Sequence, residues 1–458
     1  NIWLNPRSVG QGRWPPRLTT AAAMPAMKAP LQAAARIGSE SMLNDIWETP
    51  QVLRGISSKY LKDSRVEFPC LHEKLPGGHG LAGRTPLEVM AACSQANCGA
   101  SFSNKFTIIG SGSSWHAALL AEYLVEHLAR IPVECQYASE FRYRQPLVRS
   151  GDVIVLISSS GETAAAVESL RKVRRSENGG SVLTVAIVNQ ASSTLARECD
   201  VYIDVEAGLE HGVASTKVFT ATGFVCSLLA MQLGDACCPM PPAERMAFVK
   251  RLEELPDSVL EVLDRESKPL HQEGVEEHSL QIGECALWDI GCQNVLAPNF
   301  IFLGRGFNFP IALEGAMKCK ELAYIHAEGY PAAEMKHGPI ALIDQFMPVV
   351  VVCPKADPNY EKIKANVEEV KARNGSVIAI TESYNSELEE LCEYVIKVPE
   401  THEYLMPLLA VIPLQLLAFM MGILRGNSVD APRGLKKSVT VNNECLLEGN
   451  GGYQGRRP

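Results

Sequence analysis

The chain has 458 residues, with 43 basic and 52 acidic side chains and a net charge of −9. This charge argues against a nucleic-acid-binding surface, and the 46% of hydrophobic residues argue for more than one buried core. Fourteen cysteines are too few for a disulfide scaffold, so we interpret them as free thiols in a reducing compartment. We therefore predict a cytoplasmic protein that binds no nucleic acid.

The N-terminal region differs in composition from the rest. Residues 1–39 contain five basic side chains and no acidic one, which is typical of a disordered extension or an organellar transit peptide. We assign residues 1–41 to this extension and residues 42–84 to a helical lead-in. Met42 to Thr49 predicts a short helix that Pro50 stops, with a second helix running to about Leu61.

Apolar runs that alternate with helical patterns follow from residue 105 onward. Four of these runs predict buried strands: Phe106 to Ile109, Val153 to Ile157, Val182 to Val188 and Val201 to Val205. Helices are predicted from about Trp115 to Ala129 and from the Ser158 to Thr163 loop to about Arg174. This alternation predicts an α/β fold with a parallel sheet covered on both faces.

The same order of elements returns in the second half of the chain. Between 193 and 195 residues separate the paired positions, which are Gly110 and Gly304, Gly180 and Gly375, and Cys199 and Cys392. We therefore predict two homologous domains, at 85–235 and 296–441, joined by a helical linker at 236–295.

One apolar segment near the C-terminus is long enough to cross a membrane. Leu405 to Leu424 carries no charge, but Pro407 and Pro413 interrupt it. We expect a buried core helix and no membrane partner. The Gly-rich residues 442–458 are predicted to be a disordered tail.

Two loops in the first domain contain the residues expected around a phosphate. Ser111 to Ser114 and Ser158 to Thr163 each follow a predicted strand and open a helix, where free backbone N–H groups and hydroxyls can bind an anion. The alternative is ordinary helix capping. No P-loop, no complete dinucleotide fingerprint and no zinc-like spacing occurs, so we expect a small phosphorylated ligand, with no metal and no cofactor.

The ionisable residues that could perform chemistry lie mostly in the second half. Glu314, Lys318 and Glu321 share one helix face, as expected for a proton-transferring carboxylate beside a lysine. His337 lies in a polar loop, and Lys437 follows a turn at Pro432. The alternatives are a surface pair of Glu314 with Lys318, a loop histidine and a solvated lysine.

These motifs together resemble the isomerase half of the glutamine–fructose-6-phosphate aminotransferases, also called glucosamine-6-phosphate synthases. The most specific stretches are Ser158 to Thr163, Glu210 to Lys217, Leu303 to Gly306, Ala312 to Ala316, Lys320 to Glu328, Lys336 to Pro339 and Lys437 to Val441. The resemblance implies two tandem sugar isomerase (SIS) domains, each a flavodoxin-like three-layer sandwich. It also implies that fructose 6-phosphate and ammonia react to give glucosamine 6-phosphate, with the ammonia normally released by a glutaminase domain.

The resemblance also implies roles for individual residues. The phosphate contacts would be Ser114, Ser158, Ser160 and Thr163. Ser113 and Ser159 would belong to the pocket wall, and Val213 would lie beside the sugar. We also expect Lys436, next to Lys437, among the substrate-binding residues. The catalytic residues would be Glu321 for proton transfer with Lys318 nearby, His337 for ring opening, and Lys437 for a Schiff base. Because the family supplies His337 from a neighbouring subunit, we expect a homodimer or a higher homo-oligomer.

Three departures from the family pattern leave alternatives open. Ser159 stands where the family usually has Gln, and Lys436 stands where it has a small residue. No glutaminase domain is recognisable, so we expect a piece of a longer enzyme. The alternative functions are an SIS deaminase of an amino-sugar phosphate and a non-catalytic sugar-phosphate sensor, although retention of Glu321, His337 and Lys437 argues against the sensor.

Overall fold

Two parallel sheets of five strands form the framework of the protein. The computed structural model describes residues 41–94, 104–271, 285–383 and 385–437. The predicted tail and nearly all of the predicted N-terminal extension lie outside these residues. The first sheet contains β3 (Phe106–Gly110), β4 (Val133–Tyr137), β5 (Val153–Ser158), β6 (Leu183–Val188) and β7 (Val201–Asp204). The second contains β8 (Asn299–Gly304), β9 (His326–Pro331), β10 (Pro348–Val352), β11 (Ser376–Glu382) and β12 (Tyr394–Val398).

The two sheets have the same topology. The strand order is β4-β3-β5-β6-β7 in the first sheet and β9-β8-β10-β11-β12 in the second, and all neighbours are parallel. This is the flavodoxin-like order, in which the strand order reverses next to the first strand of the sheet. The prediction of two homologous α/β domains is confirmed. A two-stranded hairpin, β1 (Leu61–Lys62) and β2 (Arg65–Val66), precedes the first sheet.

Helices cover both faces of each sheet. The helices between residues 41 and 271 are α1 (Ser41–Tyr60), α2 (Pro86–Ala91), α3 (Ser113–Ala129), α4 (Ala138–Phe141), α5 (Ala164–Arg175), α6 (Thr194–Glu198), α7 (Lys217–Cys237) and α8 (Pro242–His271). The second half adds α9 (Ala286–Asn294), α10 (Phe309–Lys318), α11 (Tyr360–Lys371), α12 (Ser386–Leu391) and α13 (Met406–Leu424). A π-helical turn, Cys319–Ala323, extends α10.

The largest hydrophobic core lies between the two sheets. Helices α3 and α7 of the first domain and α10 and α13 of the second meet there, together with α1 and α8. Two smaller cores cover the outer faces, one under α5 and α6 and the other under α11. The two domains therefore share a continuous apolar interior, which fixes the elements that carry the candidate site.

Two helices, α7 and α13, are long and apolar enough to span a membrane. However, 94% of the most apolar stretch of each is buried inside the fold. The prediction that Leu405 to Leu424 is a core helix is confirmed. The polar side chain in this stretch, Gln415, is also accommodated, because its Nε2 donates to the backbone oxygen of Thr216 at 3.2 Å.

The prediction that Pro50 ends a helix is wrong. Helix α1 runs unbroken through Pro50, which is buried. Ile46, Leu53 and Ile56 on the same helix are completely buried and pack into the central core. Packing of this apolar face compensates for the backbone hydrogen bond that a proline cannot donate.

Candidate active site

The two serine-rich loops lie together at the carboxyl edge of the first sheet. One follows β3 and the other follows β5, and these neighbouring strands flank the point where the strand order reverses. Crevices at this point are the usual ligand sites of open parallel sheets. Each loop leads into a helix, α3 after the first and α5 after the second, so the amides of both helix starts face the same edge.

The second loop is held in shape by its own polar groups. The hydroxyls of Ser158 and Thr163 lie 2.9 Å apart, and the Gly161 N–H donates to Ser158 Oγ at 3.1 Å. Gly161 has a φ of 62°, and a Cβ there would lie 2.0 Å from Ser193 Oγ. Only glycine fits this turn, so the loop is organised before any ligand binds.

The acidic side chain of this loop points away from the anion-binding groups. Glu162 accepts hydrogen bonds from the backbone N–H of Thr194 at 2.7 Å and from its hydroxyl at 2.8 Å. The remaining side chains of residues 158–163 are hydroxyls or hydrogen. Both the hydroxyls and the backbone of this loop are therefore suited to binding an anion.

A fully buried carboxylate connects the first loop to the second domain. Glu314 of α10 accepts from Ser113 Oγ at 2.8 Å, and its other oxygen lies 2.6 Å from His116 Nδ1. Burial raises the pKa of Glu314, but the charge of Lys318 and the hydrogen bond with His116 outweigh burial and leave the pKa below its usual value. Glu314 is thus a buried anion that joins α3 to α10.

Lys318 is the cation of this buried network. Its Nζ lies 3.4 Å from Glu314 and 2.5 Å from Glu321, and its side chain is 1% exposed. Burial lowers the pKa of Lys318, but the two carboxylates dominate and raise it above its usual value. Lys318 therefore stays protonated and is suited to orient Glu321, not to attack a carbonyl. The alternative of a surface pair between Glu314 and Lys318 is wrong.

A π-helical turn presents Glu321. A π turn has backbone hydrogen bonds between residues five apart, in place of the four of an α-helix. This turn ends at Tyr324, whose φ of 53° lies in the left-handed region. The Glu321 side chain is 21% exposed, whereas its two network partners are buried. The Glu321 carboxylate is thus partly exposed to solvent while the buried Lys318 fixes its orientation, and π turns of this kind are frequent at functional sites.

Lys437 lies on the C-terminal segment and is exposed. Partial desolvation lowers the pKa of Lys437, although the carboxylates of Glu210 and Asp45 act in the opposite direction. A lowered pKa increases the fraction of neutral amine, which is the nucleophilic form. Lys436 beside it is also exposed.

Sequence comparison identifies the family. The profile of the SIS domain matches residues 102–232 and 297–425, which together cover more than half of the chain. The chain belongs to the SIS domain family. It is 44% identical to glutamine–fructose-6-phosphate aminotransferase [isomerizing] of Chlorobaculum tepidum over 87% of its own length and 58% of that relative. It is 43% identical to a Thermus thermophilus protein of the same name, over 86% of this chain and 61% of the relative. The chain thus spans little more than half the length of these relatives.

Solved structures give the same picture of two SIS domains. The C-terminal domain of glucosamine-fructose-6-phosphate aminotransferase from Francisella tularensis superposes with a TM-score of 0.72 at 30% identity, covering 86% of this chain and 98% of that one. A glucosamine-6-phosphate deaminase from Thermotoga maritima superposes with a TM-score of 0.63 at 20% identity, covering 87% of this chain and 99% of that one. The second likeness concerns the fold alone.

The structure does not bring all the predicted site residues of the two SIS domains together. His337 is exposed at the end of a short 3₁₀ helix, Ala332–Lys336, and its backbone N–H donates to Glu334. Within the described parts of the chain, no hydrogen bond or ion pair joins the His337 side chain to Glu321 or Lys437. The backbone of Val213, in contrast, is tied to the C-terminal segment, because its N–H donates to the Asp430 oxygen at 3.1 Å.

Sequence reasoning gave an incomplete account of the candidate site. It placed Glu314 on one helix face with Lys318 and Glu321, but the spacing alone did not separate a buried bridge from a surface pair. His116 gave no signal beyond its place in the helix after a serine loop. Glu210 is 4% exposed and accepts from the backbone N–H of Thr216 at 2.8 Å. Its position at the start of the Glu210 to Lys217 stretch could have marked it.

Proposed function

We propose that the chain binds fructose 6-phosphate and converts it to glucosamine 6-phosphate, as the isomerase part of a glutamine–fructose-6-phosphate aminotransferase. The observation that carries this proposal is the buried network from Ser113 through Glu314 and Lys318 to Glu321. It joins a serine-rich loop of one domain to a partly exposed carboxylate of the other. The names of relatives at 42–44% identity support the same reaction.

The phosphate of the substrate would bind at the serine-rich loops. Ser114, Ser158, Ser160 and Thr163 offer hydroxyls, and the starts of α3 and α5 offer backbone amides. Ser113 and Ser159 would complete the pocket wall. No cationic side chain occurs in either loop, so the helix amides would supply most of the electrostatic attraction.

Glu321 would act as the base for proton transfer. Isomerisation moves one proton from C1 to C2, and a single carboxylate above that bond can remove it and return it. Lys318 orients this carboxylate and balances its charge. Because Lys318 is itself held by Glu314, the geometry of the base depends on contacts from both domains.

Lys437 would form an imine with C2 of the open-chain ketose, with loss of water. Its lowered pKa favours the neutral amine that this step needs. Ammonia would then displace the lysine from C2, and the C1 proton would move to C2 to give the amino aldose. Val213 would lie beside the sugar and Lys436 near the substrate.

The ring-opening residue would come from a second copy of the chain. His337 is exposed, and no hydrogen bond or ion pair joins it to Glu321 within one copy, as far as the described residues extend. We propose a homodimer, or a higher oligomer, that completes the site with His337. We also propose that ammonia comes from a glutaminase domain, as the names of the relatives suggest, and that the enzyme is cytoplasmic.

Solvent deuterium exchange tests this function. Fructose 6-phosphate incubated with the protein in D2O should exchange its C1 hydrogen, followed by NMR, even without ammonia. Glu321→Gln keeps the shape of the side chain and removes the base, so it should abolish exchange while sugar-phosphate binding persists. Glu361→Gln, an exposed carboxylate on α11, is the matched control and should exchange at the wild-type rate.

Two outcomes would contradict the proposal in different ways. A wild-type protein that binds the sugar phosphate but exchanges no deuterium would contradict the reaction itself. Normal exchange by Glu321→Gln would assign the base to another group, of which Glu334 is the next candidate.

A further inference from the structure

The segment that carries Lys437 is anchored at Asp430. Both carboxylate oxygens accept from backbone N–H groups at the start of α1, from Ser41 at 2.9 Å and from Met42 at 2.8 Å. The backbone oxygen of Asp430 accepts from the Val213 N–H at 3.1 Å. One residue thus connects three parts of the chain that are far apart in sequence.

The chemistry of the anchor favours a fixed position. The first amides of a helix have no partner within the helix, and a carboxylate there interacts favourably with the helix dipole. Hydrogen bonds from two amides to one carboxylate also fix the orientation of the group. The start of α1 therefore sets where the chain runs seven residues before Lys437.

Helix α1 is equally firmly attached to the loop that contains Val213. Asp45, one turn inside α1, is completely buried and accepts from the N–H groups of His211 and Gly212 at 2.8 Å each. The same carboxylate lies 2.9 Å from Lys217 Nζ. The first turns of α1, this loop and Asp430 consequently form one rigid unit.

A second anchor ties the segment to the catalytic helix. The Arg433 N–H donates to the Tyr324 hydroxyl at 2.8 Å, and the Arg433 guanidinium lies 4.2 Å from the centre of that ring. Tyr324 ends the π turn that presents Glu321. The segment is therefore fixed on one side to the sugar-binding loop and on the other side to the base.

We propose that Asp430 is a positioning residue that holds Lys437 in register with the Val213 loop and with Glu321. This inference rests on the proposed function for its catalytic consequence. Loss of the Asp430 contacts would let the segment shift away from α1. The phosphate loops on β3 and β5 would not be affected, because they make no contact with Asp430 among the described residues.

The test compares Asp430→Asn with a matched control, Asp152→Asn. Asp152 also accepts from two backbone N–H groups, of Lys105 and Arg149, at 2.8 Å each, but it lies at the opposite edge of the first sheet. For Asp430→Asn we expect a loss of about tenfold or more in kcat and in borohydride trapping of fructose 6-phosphate on Lys437. We expect KM to stay within about twofold of the wild type, and Asp152→Asn to keep both rates.

A second measurement needs no sugar chemistry. The pH dependence of Lys437 acetylation by acetic anhydride, followed by mass spectrometry, reports the surroundings of its amine, which faces Glu210, Asp45 and Lys217. In Asp430→Asn the half-reaction pH should rise towards that of a free lysine, whereas in Asp152→Asn it should stay unchanged. An unchanged Lys437 profile in Asp430→Asn would overturn the inference. A wild type that acetylates as expected but traps no ketose would instead contradict the proposed function.

Discussion

Lys318 and Lys437, two lysines of the candidate site, have opposite electrostatic surroundings. Lys318 lies between two carboxylates in the interior, and its pKa is raised, whereas partial desolvation lowers the pKa of Lys437. The first lysine is thereby kept as a cation and the second is moved towards the neutral amine. This difference in pKa favours a structural role for Lys318 and a nucleophilic role for Lys437, independently of any sequence motif.

The buried network predicts a large, pH-dependent loss of stability in Lys318→Met. Removing the cation leaves the fully buried Glu314 carboxylate without its lysine partner, which should cost about 3–5 kcal/mol at pH 7, measured by urea unfolding. The lowered pKa of Glu314 contributes stability that is full above 4.5 and is lost as the pH falls through the folded pKa. The raised pKa of Lys318 contributes stability that is full below 10.5 and is lost as the pH rises through the folded pKa.

The stability difference between wild type and Lys318→Met should therefore be largest from neutral pH to about pH 10, and it should shrink as the pH falls, because the buried Glu314 is protonated more readily once Lys318 is absent. Lys355→Met is the control, because Lys355 forms an exposed pair with Glu387. It should change stability little. A Lys318→Met protein as stable as the wild type at pH 7 would contradict the buried ion network.

The hydroxyls of the second serine loop predict a loss of affinity for the sugar phosphate. Ser160→Ala and Thr163→Ala each remove a hydroxyl that the proposal places on the phosphate, and each such hydrogen bond would be worth about 1.5–3 kcal/mol. Calorimetry should show weaker binding of fructose 6-phosphate. Ser176→Ala, at the far end of the helix that follows Thr163, is the control and should bind normally. Equal affinities for all three variants would place the phosphate elsewhere.

At the scale of elements, the two domains differ in the loop that follows their third strand. The first domain has the serine-rich loop Ser158 to Thr163 there, whereas in the second domain a carboxylate binds the backbone amides of the corresponding loop. Glu382, at the end of β11, accepts from the Lys355 N–H at 2.5 Å and from the Ala356 N–H at 3.4 Å. These amides follow β10, as the Ser158 to Thr163 loop follows β5. A carboxylate of the chain itself thus occupies these backbone amides, at the position where the first domain has its serine-rich loop.

This closure predicts that Glu382→Ala destabilises the second domain. The side chain is 5% exposed, and its removal leaves two amides without their acceptor, at a cost of about 1–3 kcal/mol in urea unfolding. Deuterium exchange into fructose 6-phosphate at saturation should stay normal, because the residue is outside the proposed site. Unchanged stability would mean that solvent satisfies these amides equally well.

The elements also show what a sequence can and cannot predict. The central strands were predicted because each is a continuous apolar run that is buried on both faces. Edge strands β4 and β9 were missed, because each pairs on one side only and is mostly half-buried, with polar residues such as Glu134 and Glu328. The path through Pro50 and the π turn at Glu321 depend on tertiary packing, which local propensity does not contain.

At the scale of the whole molecule, the two homologous domains supply different parts of one candidate site. The first contributes the serine loops and the second contributes Glu314, Lys318 and Glu321. The resemblance predicted most of these residues individually. Their connection through the contacts of Glu314 with Ser113 and His116 required the structure, because contacts between residues about 200 positions apart leave no local pattern in one sequence.

The proposed sharing of His337 predicts complementation between inactive chains. His337→Ala and Glu321→Ala homodimers should each be inactive in isomerisation. A mixed dimer should recover activity, because one of its two sites would contain both intact residues. A verified mixed dimer without activity would contradict the shared site, whereas an active His337→Ala homodimer would contradict the ring-opening role.

The most direct measurement is a crystal structure of the protein with fructose 6-phosphate bound. The account predicts the phosphate on the hydroxyls and amides of the Ser158 to Thr163 loop, with C1 and C2 beside the Glu321 carboxylate. A phosphate bound away from this loop, or a sugar whose C1 and C2 lie out of reach of Glu321, would contradict it.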